Sequence, residues 1–146
     1  MADTRVQLEV EDWVRTNWMK TRLGANFSRE RLRLVSGGIF DFDAVSTNQD
    51  VVAVISTSGA RTSGGNLAIG KLHKIRSDVL FLTLVNAIRK YVVLTEKDMY
   101  DQCQKEKESG RLPQDIEFLC AELPDDLRAS LIAARDKSSR EVKKQL

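Results

Sequence analysis

Two apolar strands joined by a short polar turn are the sequence feature that most constrains the fold of this chain. Residues 39–45 and 51–57 are rich in β-branched and aromatic side chains, and the turn between them, residues 47–50, reads Thr-Asn-Gln-Asp. Asn and Asp favour tight turns because their side chains hydrogen-bond to nearby backbone groups. We therefore predict an antiparallel hairpin in the middle of the chain.

Two aspartates, Asp41 and Asp43, interrupt the first strand of this hairpin. They are two residues apart, so we expect them on the same face of the strand. A carboxylate beside apolar side chains is costly unless it is solvated, ion-paired or bound to a metal. The pair is therefore a candidate functional site. The alternative is an exposed strand face on which both acids meet water or arginines such as Arg31 and Arg33.

The periodicity of the other segments predicts an α/β protein with a mixed sheet and helices packed on it. Helical spacing over residues 5–22 and alternation over 26–35 precede the hairpin, and a loop over 58–66 follows it. The pattern then predicts a helix over 67–86, a strand over 91–95, a helix capped by Asp98 that runs to about residue 109, a strand over 116–123 and a last helix that opens at Pro124.

Length and composition indicate one folded domain over residues 1–146. Apolar residues make up 42% and charged residues 30%, which is ordinary for a globular protein, and no apolar run is long enough for a membrane span. The acidic N-terminal segment is unlike a signal peptide, and Cys103 and Cys120 lack C-x-x-C spacing. We therefore expect a cytoplasmic protein with reduced thiols.

The order helix, three meandering strands, helix, strand, with Asp43 in the second strand, resembles the PD-(D/E)xK nuclease superfamily over residues 5 to 96. The resemblance implies a restriction-endonuclease-like α-β-β-β-α-β core, here extended by a C-terminal helix-strand-helix. It also implies Mg²⁺-dependent cleavage of DNA, with Asp43 as a metal ligand. In the third strand, Val54 and Ser56 stand where the family has an acid and a lysine.

If the chain keeps the chemistry of this family, other residues must supply the two missing groups. The resemblance leaves Asp41 or Glu9 to serve as the second metal ligand beside Asp43, with Asp41 assisting in catalysis. Lys71 or Lys74, at the start of the following helix, would replace the lysine. Carboxylate oxygens are the natural ligands of Mg²⁺, and the metal neutralises charge on the phosphate and acidifies water.

The loop over 58–66 is small and rich in hydroxyls, and it precedes a helix whose N-terminal amides attract anions. A mobile connector and a nucleotide-binding loop remain alternatives, although the G-x-x-x-x-G-K pattern lacks the Ser or Thr that should follow its lysine. The predicted contacts to DNA are Ser56, Ser58, Arg61, Lys71 and Lys74.

A different class of function remains open on the same sequence. Because the third-strand acid and lysine are missing, the alternative is a catalytically inactive nuclease-fold module that binds a partner chain or self-associates. The net charge of +2 is too small to indicate a nucleic-acid binder by itself. A homodimer is compatible with both interpretations. Nucleases that cut both strands of DNA often work as dimers with one active site for each strand, and an inactive module that self-associates also forms a dimer.

Overall fold

The computed structural model describes residues 4–145, and the side chains of residues 4–137. The chain forms a five-stranded mixed sheet in the order β1-β2-β3-β4-β5, covered by helices. The strands are β1 (Phe27–Arg33), β2 (Ile39–Ser46), β3 (Val51–Ser56), β4 (Arg89–Leu94) and β5 (Ile116–Cys120). The helices are α1 (Arg5–Trp13), α2 (Met19–Leu23), α3 (Ile69–Leu84), α4 (Lys97–Glu108) and α5 (Asp125–Gln145), and a π-helical segment, Val14–Trp18, joins α1 to α2.

The predicted order of elements is confirmed, and so is the α/β class. β1, β2 and β3 form an antiparallel meander, whereas β3, β4 and β5 are parallel to one another. Parallel neighbours need a crossover connection, and α3 and α4 provide the two crossovers. The hairpin turn between β2 and β3 contains Gln49 in the left-handed region, at φ 63°. Gly24 likewise ends α2 with φ 69°, as a C-terminal glycine commonly does.

The sheet carries a separate apolar core on each face. Val52, Val54 and Val92 alternate along β3 and β4 with Ala53 and Val93, so each strand contributes to both cores. One core is completed by α3 and α4, and the other by α1, the π-helical segment, α2 and α5. The protein is thus a three-layer α/β/α structure. No helix in the described part of the chain combines the length and apolarity needed to cross a membrane.

Glu96 anchors α5 to the ends of the central strands. Its carboxylate accepts hydrogen bonds from Arg128 and Arg135 at 2.6 Å each, and from the Thr95 hydroxyl at 2.8 Å. Arg128 also donates to the backbone oxygen of Thr95, and Arg135 to that of Thr57. Burial raises the pKa of Glu96, but these hydrogen bonds outweigh it and hold the pKa below its ordinary value. The network ties α5 to the backbone directly after the ends of β3 and β4.

The prediction that Asp98 caps α4 is wrong. Glu96 occupies the N-cap position, with no capping hydrogen bond from its side chain, and Asp98 lies in the first turn. The Asp98 carboxylate instead accepts hydrogen bonds from the backbone amides of Met99, at 2.8 Å, and Ala60, at 3.1 Å. Asp98 therefore ties the loop after β3 to α4.

Candidate active site where two strands part

A β-bulge in β2 places Asp43 at an irregular point of the sheet. Ser28↔Val45 and Glu30↔Phe42 are consecutive pairs in the ladder. From one pair to the next, β1 advances by two positions and β2 by three, so β2 contains one extra residue. An extra residue of this kind bends the strand and re-aims the side chains around it. Bulges are over-represented next to active sites, so the position of Asp43 is notable.

Asp43 also lies where β2 and β3 stop pairing. Their ladder is confined to two adjacent residue pairs and ends at Ala44↔Ala53, although both strands continue beyond that point. There the backbone amide of Ile55 donates to Oδ2 of Asp43, at 2.8 Å, instead of to a backbone carbonyl of β2. The carboxylate thus takes the place of a main-chain acceptor between the two parted strands.

The π-helical segment holds Asp43 from a second direction. Nε of Arg15 donates to the backbone oxygen of Asp43 at 2.6 Å, and Nη1 of the same guanidinium lies 3.3 Å from the carboxylate of Asp12. Oδ1 of Asp43 accepts no hydrogen bond from any described residue. Asp43 is therefore fixed by its backbone and one carboxylate oxygen, and its other oxygen is open to solvent.

Two further acids share the surroundings of Asp43. Burial raises the pKa of Asp43, and the nearby charge of Asp78 raises it further, against the hydrogen bond from Ile55. Burial also raises the pKa of Glu11, with the charge of Asp43 as the next contribution. Acids gathered in a partly desolvated region have pKa values that favour a bound cation or proton.

Glu9, predicted as a metal ligand, does not point into the core. The buried stripe of α1 is formed by Val10, which continues into Val14 of the π-helical segment, and Glu9 is exposed on one flank of it. Glu11 lies on the opposite flank, and it is the acid whose charge interacts with Asp43. The acid of α1 whose pKa responds to Asp43 therefore lies two residues after the predicted one.

Asp41, the other predicted ligand, meets an arginine instead of joining Asp43. Oδ2 of Asp41 lies 3.1 Å from Nε and 2.8 Å from Nη2 of Arg29, and both side chains are exposed. The hydrogen bond from Arg29 lowers the pKa of Asp41. The sequence correctly indicated an arginine of β1 as a partner, but Arg29 fills that role and not Arg31 or Arg33.

The two lysines proposed for the missing family lysine differ in their surroundings. Lys74 lies 2.8 and 2.9 Å from the two carboxylate oxygens of Asp78, one helical turn later, and its charge lowers the pKa values of Asp43 and Glu11. Lys71 is exposed and forms no ion pair with a described residue. The geometry therefore places Lys74, more than Lys71, beside the acids.

The loop after β3 is fastened at several points. Ser56 is partly buried, directly follows Ile55 and accepts a hydrogen bond from the amide of Ser58 through its hydroxyl. Ala60 is bound by Asp98 and pairs with the backbone of Ala68, which closes the loop. The predicted contact Arg61 lies on this closed loop and is exposed, with no described hydrogen bond to Asp43. The loop is an ordered part of the surface near β3.

The residues that sequence reasoning missed are those that tertiary packing brings to Asp43. Arg15 and Glu11 come from the N-terminal helical segment, and Asp78 comes from α3. Only Asp78 carried a sequence signal, because an acid four residues after Lys74 is the spacing of a helical ion pair.

A cation held at this site would have to keep much of its water. Among the side chains described, no three or more His, Cys, Asp or Glu are grouped as a closed metal site requires. Mg²⁺ is usually held by one or two carboxylates, with water and substrate phosphate completing its shell. Asp43 and Glu11 are the candidates for such a smaller ligand set.

The raised pKa of Asp43 predicts a stability cost at neutral pH. When an acid has a higher pKa in the folded state than in the unfolded state, stability falls as the pH rises through the interval between the two values. Asp43→Asn removes that charge and keeps an acceptor for the Ile55 amide. We expect it to raise the melting temperature near pH 7.5 in EDTA by ~2–4 °C, a gain of about 1 kcal/mol.

The difference between Asp43→Asn and the wild type should shrink as the pH falls toward 3.8, the ordinary pKa of an aspartate. Asp41→Asn is the matched control, because the pKa of Asp41 is lowered and its removal should not stabilise the protein. Thermal unfolding followed by circular dichroism measures both variants. An Asp43→Asn protein that is less stable than the wild type at pH 7.5 would contradict the desolvation of this acid.

Comparisons of this chain with family models, curated proteins and solved structures found no match.

Proposed function

We propose that this protein is a nuclease-like, metal-dependent phosphodiesterase that acts on DNA, built on a restriction-endonuclease-like core. The observation that carries the proposal is the half-buried Asp43 carboxylate, held between two parted strands with one oxygen open to solvent. A fold gains little stability from such an arrangement, and perturbed acids of this kind concentrate at functional sites. The order of elements around Asp43 supports the same fold.

In this proposal Asp43 and Glu11 hold Mg²⁺, which would neutralise charge on the scissile phosphate and acidify an attacking water. The backbone amide of Ile55 and the guanidinium of Arg15 orient Asp43. Lys74, which Asp78 holds on α3, has a charge that lowers the pKa values of Asp43 and Glu11, and it offers a positive charge for a phosphate oxygen. Lys71, one turn earlier on α3 and exposed, is the second candidate for that contact.

A catalytically inactive relative is the second candidate, and one observation favours it. Val54, which stands in place of the third-strand acid of the family, is 2% exposed and belongs to the apolar core next to α3. A carboxylate at that position would lie in the core, so the usual ligand pair cannot form on β3 in this geometry. Such a module would keep the surface around Asp43 and would bind a partner without cleaving it.

Nicking of supercoiled plasmid by the purified protein distinguishes these candidates. The enzyme proposal expects nicking with Mg²⁺ or Mn²⁺ and none in EDTA. An Asp43→Asn protein purified in parallel controls for contaminating nucleases, because it should be folded and inactive. Equal nicking by the two proteins would refute the assignment of the site, and no nicking by either under any metal would favour the inactive module.

A further inference from the structure

A row of three exposed arginines lies along β1, the edge strand next to the bulge. Arg29, Arg31 and Arg33 alternate with Leu32 and Glu30, so they share one face of the strand. Leu32 faces the other way and packs against the core next to α3. The three arginines therefore line the opposite, outward face, and we call them the arginine row.

Asp41 is the acid on this face that pairs with the arginine row, and it pairs with only one of the three arginines. Asp41 of β2 lies directly across from Arg31 in the ladder, but its carboxylate binds Arg29. Arg31 and Arg33 form no ion pair with any described residue. The residue across from Arg33 is the exposed apolar Ile39. Two positive charges of the row therefore have no described acidic partner.

The arginine row begins beside the candidate active site. Arg29 is the β1 residue between the two ladder pairs that flank the bulge, and its charge lowers the pKa of Asp43. Side chains that alternate on a strand are spaced by roughly 6.6 Å, so the row extends about 13 Å from the bulge toward the end of β1. A polyanion with one negative group at the Asp43 site would place its following negative groups over these arginines.

The chemistry of the row fits phosphates better than carboxylates on a flexible chain. Arginine presents a planar fork of donors that matches phosphate oxygens, and β1 holds three forks in a regular line. One strand of duplex DNA carries its phosphates at regular intervals, so arginines in a regular line can contact successive phosphates. Elsewhere the charge is nearly balanced, since the whole chain carries only +2.

We infer that the arginine row is the surface that binds the phosphate backbone of double-stranded DNA and leads it to Asp43. This inference deepens the proposed function, on which it rests, by assigning the main DNA contact to β1 instead of to the loop after β3. The contacts are to backbone phosphates, so binding is expected to depend strongly on salt and little on base sequence.

The test measures binding of a fluorescein-labelled 20-base-pair duplex by anisotropy in EDTA, where no cleavage takes place. Arg31→Gln/Arg33→Gln should weaken binding roughly tenfold at 0.1 M salt and reduce the slope of log K against log salt by about two. The matched control is Lys105→Gln/Arg111→Gln, which removes the same charge from exposed positions on and after α4. The control should bind within about twofold of the wild type, since net charge alone contributes little.

Unchanged affinity and salt slope in the β1 variant would overturn the inference and leave the row as a solvated strand face. Binding of poly-glutamate as tightly as the duplex would also overturn it in favour of an acidic protein partner. The outcome is separable from the proposed function, because Asp43→Asn should bind the duplex at least as well as the wild type in EDTA. A protein that binds DNA through the row and never nicks it would refute the enzyme and leave the row standing.

Discussion

Asp43→Asn is expected to lower the rate of Mg²⁺-dependent plasmid nicking at least ~100-fold, a loss of about 2.7 kcal/mol of transition-state stabilisation. The amide retains the hydrogen bond from Ile55 but contributes no negative charge to a cation. Because the same substitution is expected to stabilise the fold near neutral pH, unfolding cannot account for the loss. The initial rate of conversion from supercoiled to open-circular plasmid gives the measurement.

A graded series of variants makes this expectation specific to the geometry. Glu11→Gln should reduce nicking by roughly tenfold or more, because Glu11 is the acid of α1 that shares the surroundings of Asp43. Glu9→Gln should leave the rate unchanged, since Glu9 is exposed on the other flank of the helix. The reverse order, with Glu9 essential and Glu11 dispensable, would show that the N-terminal helix is oriented differently at the site.

Phe42→Ala is expected to destabilise the fold by about 3–5 kcal/mol, the largest stability effect that we predict. Phe42 is fully buried, and its ring lies 4.8 Å from that of Phe40, edge to face. Phe40 in turn stacks on Phe81 of α3 at 4.2 Å. These rings hold β2 against α3 and so determine which face of the strand carries Asp43.

Urea unfolding followed by far-ultraviolet circular dichroism measures this effect. Leu80→Ala is the matched control, because Leu80 is a large apolar residue that is 55% exposed and should cost less than about 0.5 kcal/mol. A loss below ~1 kcal/mol for Phe42→Ala would mean that β2 is not anchored through this ring. The position of the bulge, and with it the assignment of Asp43, would then lack support.

The local elements of this fold were predictable because each has a signal within its own segment. The alternation of β2 and β3 and the polar turn between them predicted the hairpin, and Gly24 marked the end of the N-terminal helix. The order of elements followed from the same signals. Asp43 was recognisable as a candidate for a functional role because an acid inside an apolar strand conflicts with local propensity.

The rest of the site depends on contacts between segments that no local pattern encodes. The bulge at Asp43 is a property of how β2 pairs with β1, which neither strand encodes alone. Asp41 is paired in the ladder with Arg31, yet its carboxylate binds Arg29, two positions away on β1. The choice between Glu9 and Glu11 depends on how α1 is rotated against the sheet. Asp98 was predicted to cap a helix, yet in the folded protein its carboxylate accepts a hydrogen bond from the backbone amide of Ala60 in the loop after β3.

The most direct test of the central claim, that Asp43 and Glu11 form a cation site between the parted strands, is calorimetric titration of the protein with Mn²⁺ in the absence of DNA. The account predicts one binding event per chain that is lost in Asp43→Asn, weakened in Glu11→Gln and retained in Glu9→Gln. Binding of Mn²⁺ that is the same in the wild type and in Asp43→Asn would contradict it.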